Sequence, residues 1–169
     1  MISAGLSTIL LSGILSSFVL VGKNSYNAAN YSIMEAESRR ALGTFTAEAR
    51  MAENITWTSA TKVTLSVVSS TGNYTVTYAY DGSTVGPTAR SFYRQLGTAP
   101  AFILIRNVTD FAFRRYKVVN GADFAATNDL ETKQLQIALR TVRTGVTTVD
   151  ATNAVLSARV VLRNKHVTT

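Results

Sequence analysis

The sequence predicts an α+β protein in which one long N-terminal helix, apolar in its first half and amphipathic in its second, packs on an antiparallel β-sheet head. Three observations predict it. The first 22 residues are uncharged and rich in Leu, Ile and Val; apolar residues then recur at helical spacing to about residue 54; and from Ile55 onward they alternate with period two. The expected divisions are 1–23 for the apolar half helix, 24–55 for the amphipathic half and 56–169 for a β-rich head.

The apolar half carries Leu6, Ile9, Leu10, Leu11, Ile14, Leu15, Phe18, Val19 and Leu20. As a helix of 22 residues it is about 33 Å long, close to the ~30 Å of a bilayer's hydrocarbon core. A secretory signal would have a basic stretch ahead of the apolar run and a small-residue cleavage site after it, and neither is present. A plain single-pass anchor fits better. Serines at 3, 7, 12, 16 and 17, with Gly5 and Gly13, supply small residues where neighbouring helices can approach closely. A segment apolar all round must be buried in lipid, in copies of itself, or in each in turn.

Asn24, Ser25, Asn27 and Asn30 introduce the amphipathic half. Tyr26, Ile33, Met34, Leu42, Phe45, Ala49 and Ala52 share one broad face, and the last six are the expected helix-to-head packing positions. Glu35 precedes Arg39 by four residues and Glu37 precedes Arg40 by three, spacings at which acid and base pair on a helix. No proline occurs before Pro87, so Met1 to about Asn54 reads as one element of some 80 Å.

In the head, 61–68 places Val63, Leu65 and Val67 on one face, and 73–80 does the same for Tyr74, Val76, Tyr78 and Tyr80. A hairpin loop at 69–72 and turn chemistry at Asp81-Gly82 bound them. Further strands are expected near 89–96, 103–105, 110–118, 133–142 and 154–162, giving six to eight in all. Residues 119–132 read as a surface loop. Tyr74, Tyr78, Phe92, Tyr93, Phe111 and Phe113 alternate as core residues do.

No chemistry of catalysis stands out. The chain lacks cysteine and has one histidine, His166, near its C-terminus. Phosphate-binding, hydrolase and zinc-binding strings are absent, so no catalytic, cofactor-binding or metal-ligating residue is assigned and an enzyme is not expected. Asp123, Asp129 and Glu131 do not have calcium-loop spacing and read as solvated acids. Asn54, Asn73 and Asn107 each open a three-residue glycosylation sequon, a pattern frequent by chance in a Thr-rich chain, and Thr141, Thr144, Thr147 and Thr148 are expected surface hydroxyls that could carry O-linked sugar, without a motif to assign it. The net charge of +7 is spread over scattered basic residues, which gives nucleic acid only weak support as a partner.

The string Glu35-Ala36-Glu37-Ser38-Arg39-Arg40-Ala41-Leu42, then Phe45, then Glu48-Ala49-Arg50-Met51-Ala52 and Ile55-Thr56, resembles the helix end of the type IV pilin and pseudopilin superfamily, within it the J/W-type minor pilins. The strings at 61–67 and 75–82, the 108–116 strand and the closing Leu162-Arg163-Asn164 are similar to that group as well, so the resemblance covers nearly the whole chain. It implies a pilin-like fold and a structural subunit of an extracellular filament, polymerising through its N-terminal helix with identical subunits. The implied course runs from the inner membrane, through an ATP-driven assembly machinery, to a filament at the cell surface. A minor pseudopilin of a type II secretion-type piston and a membrane-anchored adhesion or DNA-binding module are the alternatives. One feature departs from the family. Its members begin with an aromatic residue followed four positions later by a glutamate, whereas here no acid precedes Glu35. Met1-Ile2-Ser3-Ala4 is similar to the run after that glutamate, which implies about six further mature residues upstream.

Overall fold

The computed structural model describes residues 2–70, 72–142 and 153–167, with side chains described from Leu11 onward except at 26, 27, 153 and 154. With no proline to interrupt it, the chain from Ile2 to Met51 is a single helix, α1 (Ile2–Met51), about 75 Å long. It stops at Met51 rather than near Asn54. The next residues, Ala52–Ser59, form strand β1, with Ile55 opposite Leu65 and Trp57 opposite Val63 of β2 (Lys62–Val67). The β-branched and aromatic run Ile55-Thr56-Trp57-Thr58 favours an extended, half-buried strand, and the ladder to β2 outweighs continuation of the helix.

The described residues of the head form nine strands in two antiparallel sheets rather than one sheet of six to eight. The first sheet runs β1-β2-β3-β4-β5 in sequence order, with β3 (Tyr74–Asp81), β4 (Ser91–Leu96) and β5 (Phe102–Ile105). The second runs β7-β6-β8-β9, from β6 (Val108–Val119), β7 (Ala122–Ala125), β8 (Gln134–Val142) and β9 (Asn153–Val161). Part of the loop expected at 119–132 is therefore a hairpin. Asn120 (φ 51°) and Gly121 (φ 80°) both adopt the left-handed region, the conformation that a tight two-residue hairpin turn demands, and Val119 pairs with Ala122. The rest of the loop is tied down by Glu131, which accepts from the backbone N–H of Thr127 and pairs with Lys117 at 2.9 Å. These contacts, with the lysine bond foremost, hold its carboxyl down at about 2.

The two sheets are joined edge to edge by Phe113 N donating to Ala60 O at 2.6 Å and Val108 N to Arg90 O at 2.9 Å. Asp129 adds a side-chain joint: it accepts from Trp57 N at 3.0 Å and from Arg115 Nη1 at 2.5 Å, while the Arg115 guanidinium lies 5.0 Å from the Trp57 ring centre. The last residues return to the helix end, where Asn164 Nδ2 donates to Met51 O at 3.3 Å. Lys165 lies buried beneath them, its ammonium donating to Leu130 O, and burial pushes its pKa down.

Both sheets pack on the second half of α1. Phe45 is fully buried, edge-on to Tyr78 at 5.1 Å between ring centres and 5.7 Å from Phe113, so one helix residue touches both sheets. Met34, Ala49 and Ala52 are buried and Leu42 packs half-buried on the same core, as expected for helix-to-head packing. Ala52 does so from β1. Ile33 does not belong to this set: it is 46% exposed, because it lies one position off the buried Asn30, Met34, Ser38 and Ala41 line of the helix. Among the expected core aromatics, Tyr78, Phe92 and Phe113 are buried and Tyr74 and Phe111 partly so, whereas Tyr93 stands on the opposite side of its strand from Phe92.

Truncating the residue that links the sheets should be costly. Phe45→Ala is expected to lose about 3–5 kcal/mol of unfolding free energy, read as a lower midpoint in chemical denaturation of the detergent-solubilised protein.

Candidate functional site

Two regions of α1 carry the features that bear on function, and they obey opposite rules of burial. The first is Glu48. It follows Ala41 by seven residues and Phe45 by three, so it lies on the helix face that enters the core, and it is only 7% exposed. A carboxylate there must be met by donors. Arg94 of β4 supplies a fork, with Nε 3.1 and 3.0 Å from the two carboxylate oxygens and Nη2 bonded to Oε1. On β3, Tyr78 donates its phenol to Oε2 at 2.6 Å and Tyr74 to Oε1 at 3.2 Å. Arg94 and Tyr78 are paired across β3 and β4, so strand register brings them together beneath the helix.

The electrostatics hold the two phenols neutral and the guanidinium charged. Burial, then the bond to the Glu48 carboxylate, pushes the Tyr78 phenol far above its usual value, and burial followed by the Glu48 charge raises Tyr74. The Glu48 bonds hold the Arg94 guanidinium more firmly protonated than usual. The arrangement fastens a helix to a sheet.

The second region is the end of the helix that leaves the head. Leu11, Ile14, Leu15, Phe18, Val19, Leu20 and Val21 are all exposed, Leu11 at 69% and Phe18 at 72%. Gly13, Ile14, Ser17, Phe18 and Val21 line a shallow apolar groove there, and the Ser17 hydroxyl is turned inward, donating to Gly13 O at 2.9 Å. The expected packing positions Leu6, Ile9 and Leu10, and the helix-face position Tyr26, lie outside the described side chains. Among the described residues no helix is long and apolar enough to cross a membrane; from Leu11 onward the apolar stretch ends at Gly22.

Of the expected ion pairs, Glu35 and Arg39 meet at 2.5 Å on an exposed surface, a contact worth a few tenths of a kcal/mol. Glu37 and Arg40 do not pair. Both face a groove between α1 and β5, with Phe102, Ile103, Leu104 and Arg106 on its other wall. Among the described residues, no three acids or histidines gather where a metal ion could be held. The hidden partners of Glu48 were the main omission of the sequence reading. The available signal was an acid at position 48 on an otherwise apolar face.

Compared with known protein families and with characterised proteins, the chain matches none.

Glu48→Gln should cost about 2–4 kcal/mol by leaving the partly covered Arg94 without its acid, and Glu48→Leu combined with Arg94→Met should recover much of that loss in a double-mutant denaturation cycle. Tyr78 is harder to ionise in the fold than in the unfolded chain, where its pKa is about 10. Its contribution to stability is therefore complete below pH 10 and is lost as the pH rises beyond it. Tyrosinate absorbance is expected to show Tyr78→Phe titrating one phenol fewer, and that phenol in the unaltered chain appearing only with alkaline unfolding.

Proposed function

We propose that this chain is a structural subunit of a helical surface filament of the type IV pilin class, held in a membrane before assembly and then polymerised through the first half of α1. The observation that carries the reading is the row of exposed apolar side chains from Leu11 to Val21 on a helix whose other half is anchored in the head. Fully burying one such side chain is worth about 1.5–3 kcal/mol, so the row is costly in water and stable only when covered. Lipid and sibling helices are both apolar covers, and the difference between them is small. A subunit built this way moves from one to the other when machinery supplies the work, which agrees with the resemblance in the helix-end motifs.

The groove beside Gly13 and Ser17 supports close helix approach, since neither residue projects a bulky group there. The head, with nine strands in two sheets, is larger than a typical pilin head. The anchoring half of the helix packs on both sheets rather than on one.

The test compares the intact chain with a chain beginning at Asn24 and with Phe18→Asp. The intact chain is expected in membranes and in sheared filaments. The shortened chain should be a soluble monomer with the same head circular dichroism, and Phe18→Asp a folded protein that enters no filament. Identical location and oligomeric size for intact and shortened chains would end the proposal.

A further inference from the structure

The first sheet ends at β5, a strand with β4 on one edge and no strand on the other. Among the described residues the backbone of Phe102–Ile105 bonds only to β4, so its outer edge keeps unmade N–H and C=O groups onto which another extended chain can pair. Beside that edge runs α1. Glu37, Arg40 and Ala41, three and four residues apart and so on one side of the helix, form one wall of a groove of about 190 Å³, and Phe102, Ile103, Leu104 and Arg106 form the other. Consecutive strand residues point to opposite faces, so a groove that touches 102, 103 and 104 in succession runs along the strand's edge rather than over one face. A smaller cavity of about 60 Å³ beside Met34 continues it and shares Glu37 and Arg106.

The groove is apolar along the strand and charged at its rims. Phe102 is 59% exposed, while Ile103 and Leu104 are half-buried. Arg40 and Arg106 stand exposed on opposite walls and have no acid partner among the described residues, whereas Arg94, Arg115, Arg140 and Arg159 each meet one. With Glu37 as the one acid among the lining residues, the groove is net positive and holds two unspent guanidinium forks, each able to grip a carboxylate. Like charges at an edge oppose pairing with the same edge of a second copy. A copy also has few acids to offer, since Asp123, Asp129 and Glu131 are paired within its own head. The complement of this groove is an extended chain of opposite sign.

We infer that this groove binds an extended, acidic segment of another protein, which pairs with β5 as a sixth strand of the first sheet. Its backbone makes the hydrogen bonds that the free edge leaves unmade, its apolar side chains rest against Ile103 and Leu104, and its carboxylates meet Arg40 and Arg106. Glu37 sets a limit, because its own charge opposes a segment that is acidic at every position. A nucleic-acid strand matches the arginines but not the peptide edge beside them. The inference goes beyond the filament reading and does not rest on it: Glu37 follows Val21, the last of the exposed apolar row, by sixteen residues, about 24 Å along the helix.

The experiment is fluorescence anisotropy of dye-labelled synthetic peptides titrated with the full-length protein in non-ionic detergent. The probe is a capped heptapeptide of alternating valine and glutamate; the same peptide with lysine in place of glutamate, and a glutamate peptide N-methylated at alternate residues, are the controls. Saturable binding of the probe with a Kd below about 1 mM is expected, and both controls should bind at least about tenfold more weakly. Arg40→Gln/Arg106→Gln should weaken binding of the probe about tenfold or more, whereas Glu37→Gln, which removes the groove's own acid, should strengthen it about threefold. All three positions are exposed, so these variants should keep the unaltered melting temperature; should the double variant melt early, the gain in Glu37→Gln and the peptide controls decide the matter. Arg114→Gln, on the second sheet, should bind as the unaltered protein does. The inference is overturned by absence of saturable binding, by lysine or N-methylated peptides binding as well as the probe, or by a folded double variant or Glu37→Gln that binds as the unaltered protein does. A single-stranded oligonucleotide that binds more tightly than the probe, or self-association of the protein that Phe102→Lys abolishes and the probe does not displace, overturns it as well.

Discussion

A carboxylate that enters a hydrophobic core on a helix must be met there by hydrogen-bond donors, and in this protein that requirement ties the helix to the sheets. Glu48 sits among Ala41, Phe45 and Ala49, positions chosen by the same helical periodicity that buries them. Its donors all come from β3 and β4, two strands whose register sets Arg94 beside Tyr78. Apolar contacts tolerate sliding by a residue or rotation by some degrees, whereas a forked guanidinium and two phenols do not. The hydrophobic face of α1 thus supplies most of the attraction, and Glu48 sets depth and rotation.

From that fixed point the rest of the molecule follows. With residues 41–49 immobilised, the helix cannot retract its apolar end into the head, because a rigid rod about 75 Å long exceeds any core the strands can build. Phe18 and its neighbours stay uncovered as a consequence of the anchoring. The same anchoring turns the apolar sides of the strands inward around Phe45, and period-two alternation then turns Thr56, Thr64 and Thr77 outward. One buried face on one helix determines both exposed surfaces.

How much of this was legible in the sequence differs from element to element for physical reasons. The helix and the central strands were legible because their periodicities are local: 3.6 residues from Met34 to Ala49 and two residues from Val63 to Val67 and Tyr74 to Tyr80. Strand β1 was hidden by continuity. Ala49 and Ala52 fit a helical step, and only the pairing of Ala52 with Val67 decides for a strand. Strand β7 was hidden by its shortness, four residues with no period-two alternation, although Asn120-Gly121 carries a hairpin signal. The division into two sheets, and the meeting of Glu48 with Arg94 forty-six residues later, depend on long-range pairing that no local pattern encodes. Tyr93 and Phe92 looked alike by composition, and only the inward turn of Phe92 separates them.

The charge distribution adds a constraint on any polymer. The helix carries four basic and three acidic residues, while residues 52–169 carry thirteen basic and seven acidic, so nearly all of the +7 resides on the head. Copies gathered through their apolar helices must therefore stack heads of like sign. Ion pairs within the head, such as Arg115 with Asp129, Lys117 with Glu131 and Arg159 with Asp123, spend its acids internally rather than leaving them for a neighbour. In the proposed filament cohesion would then have to come from the uncharged, apolar first half of the helix, with head repulsion setting how closely the subunits wind. In the filament we propose, that division of labour, attraction at the axis and repulsion at the rim, would disperse heads around a core instead of collapsing them into an amorphous aggregate.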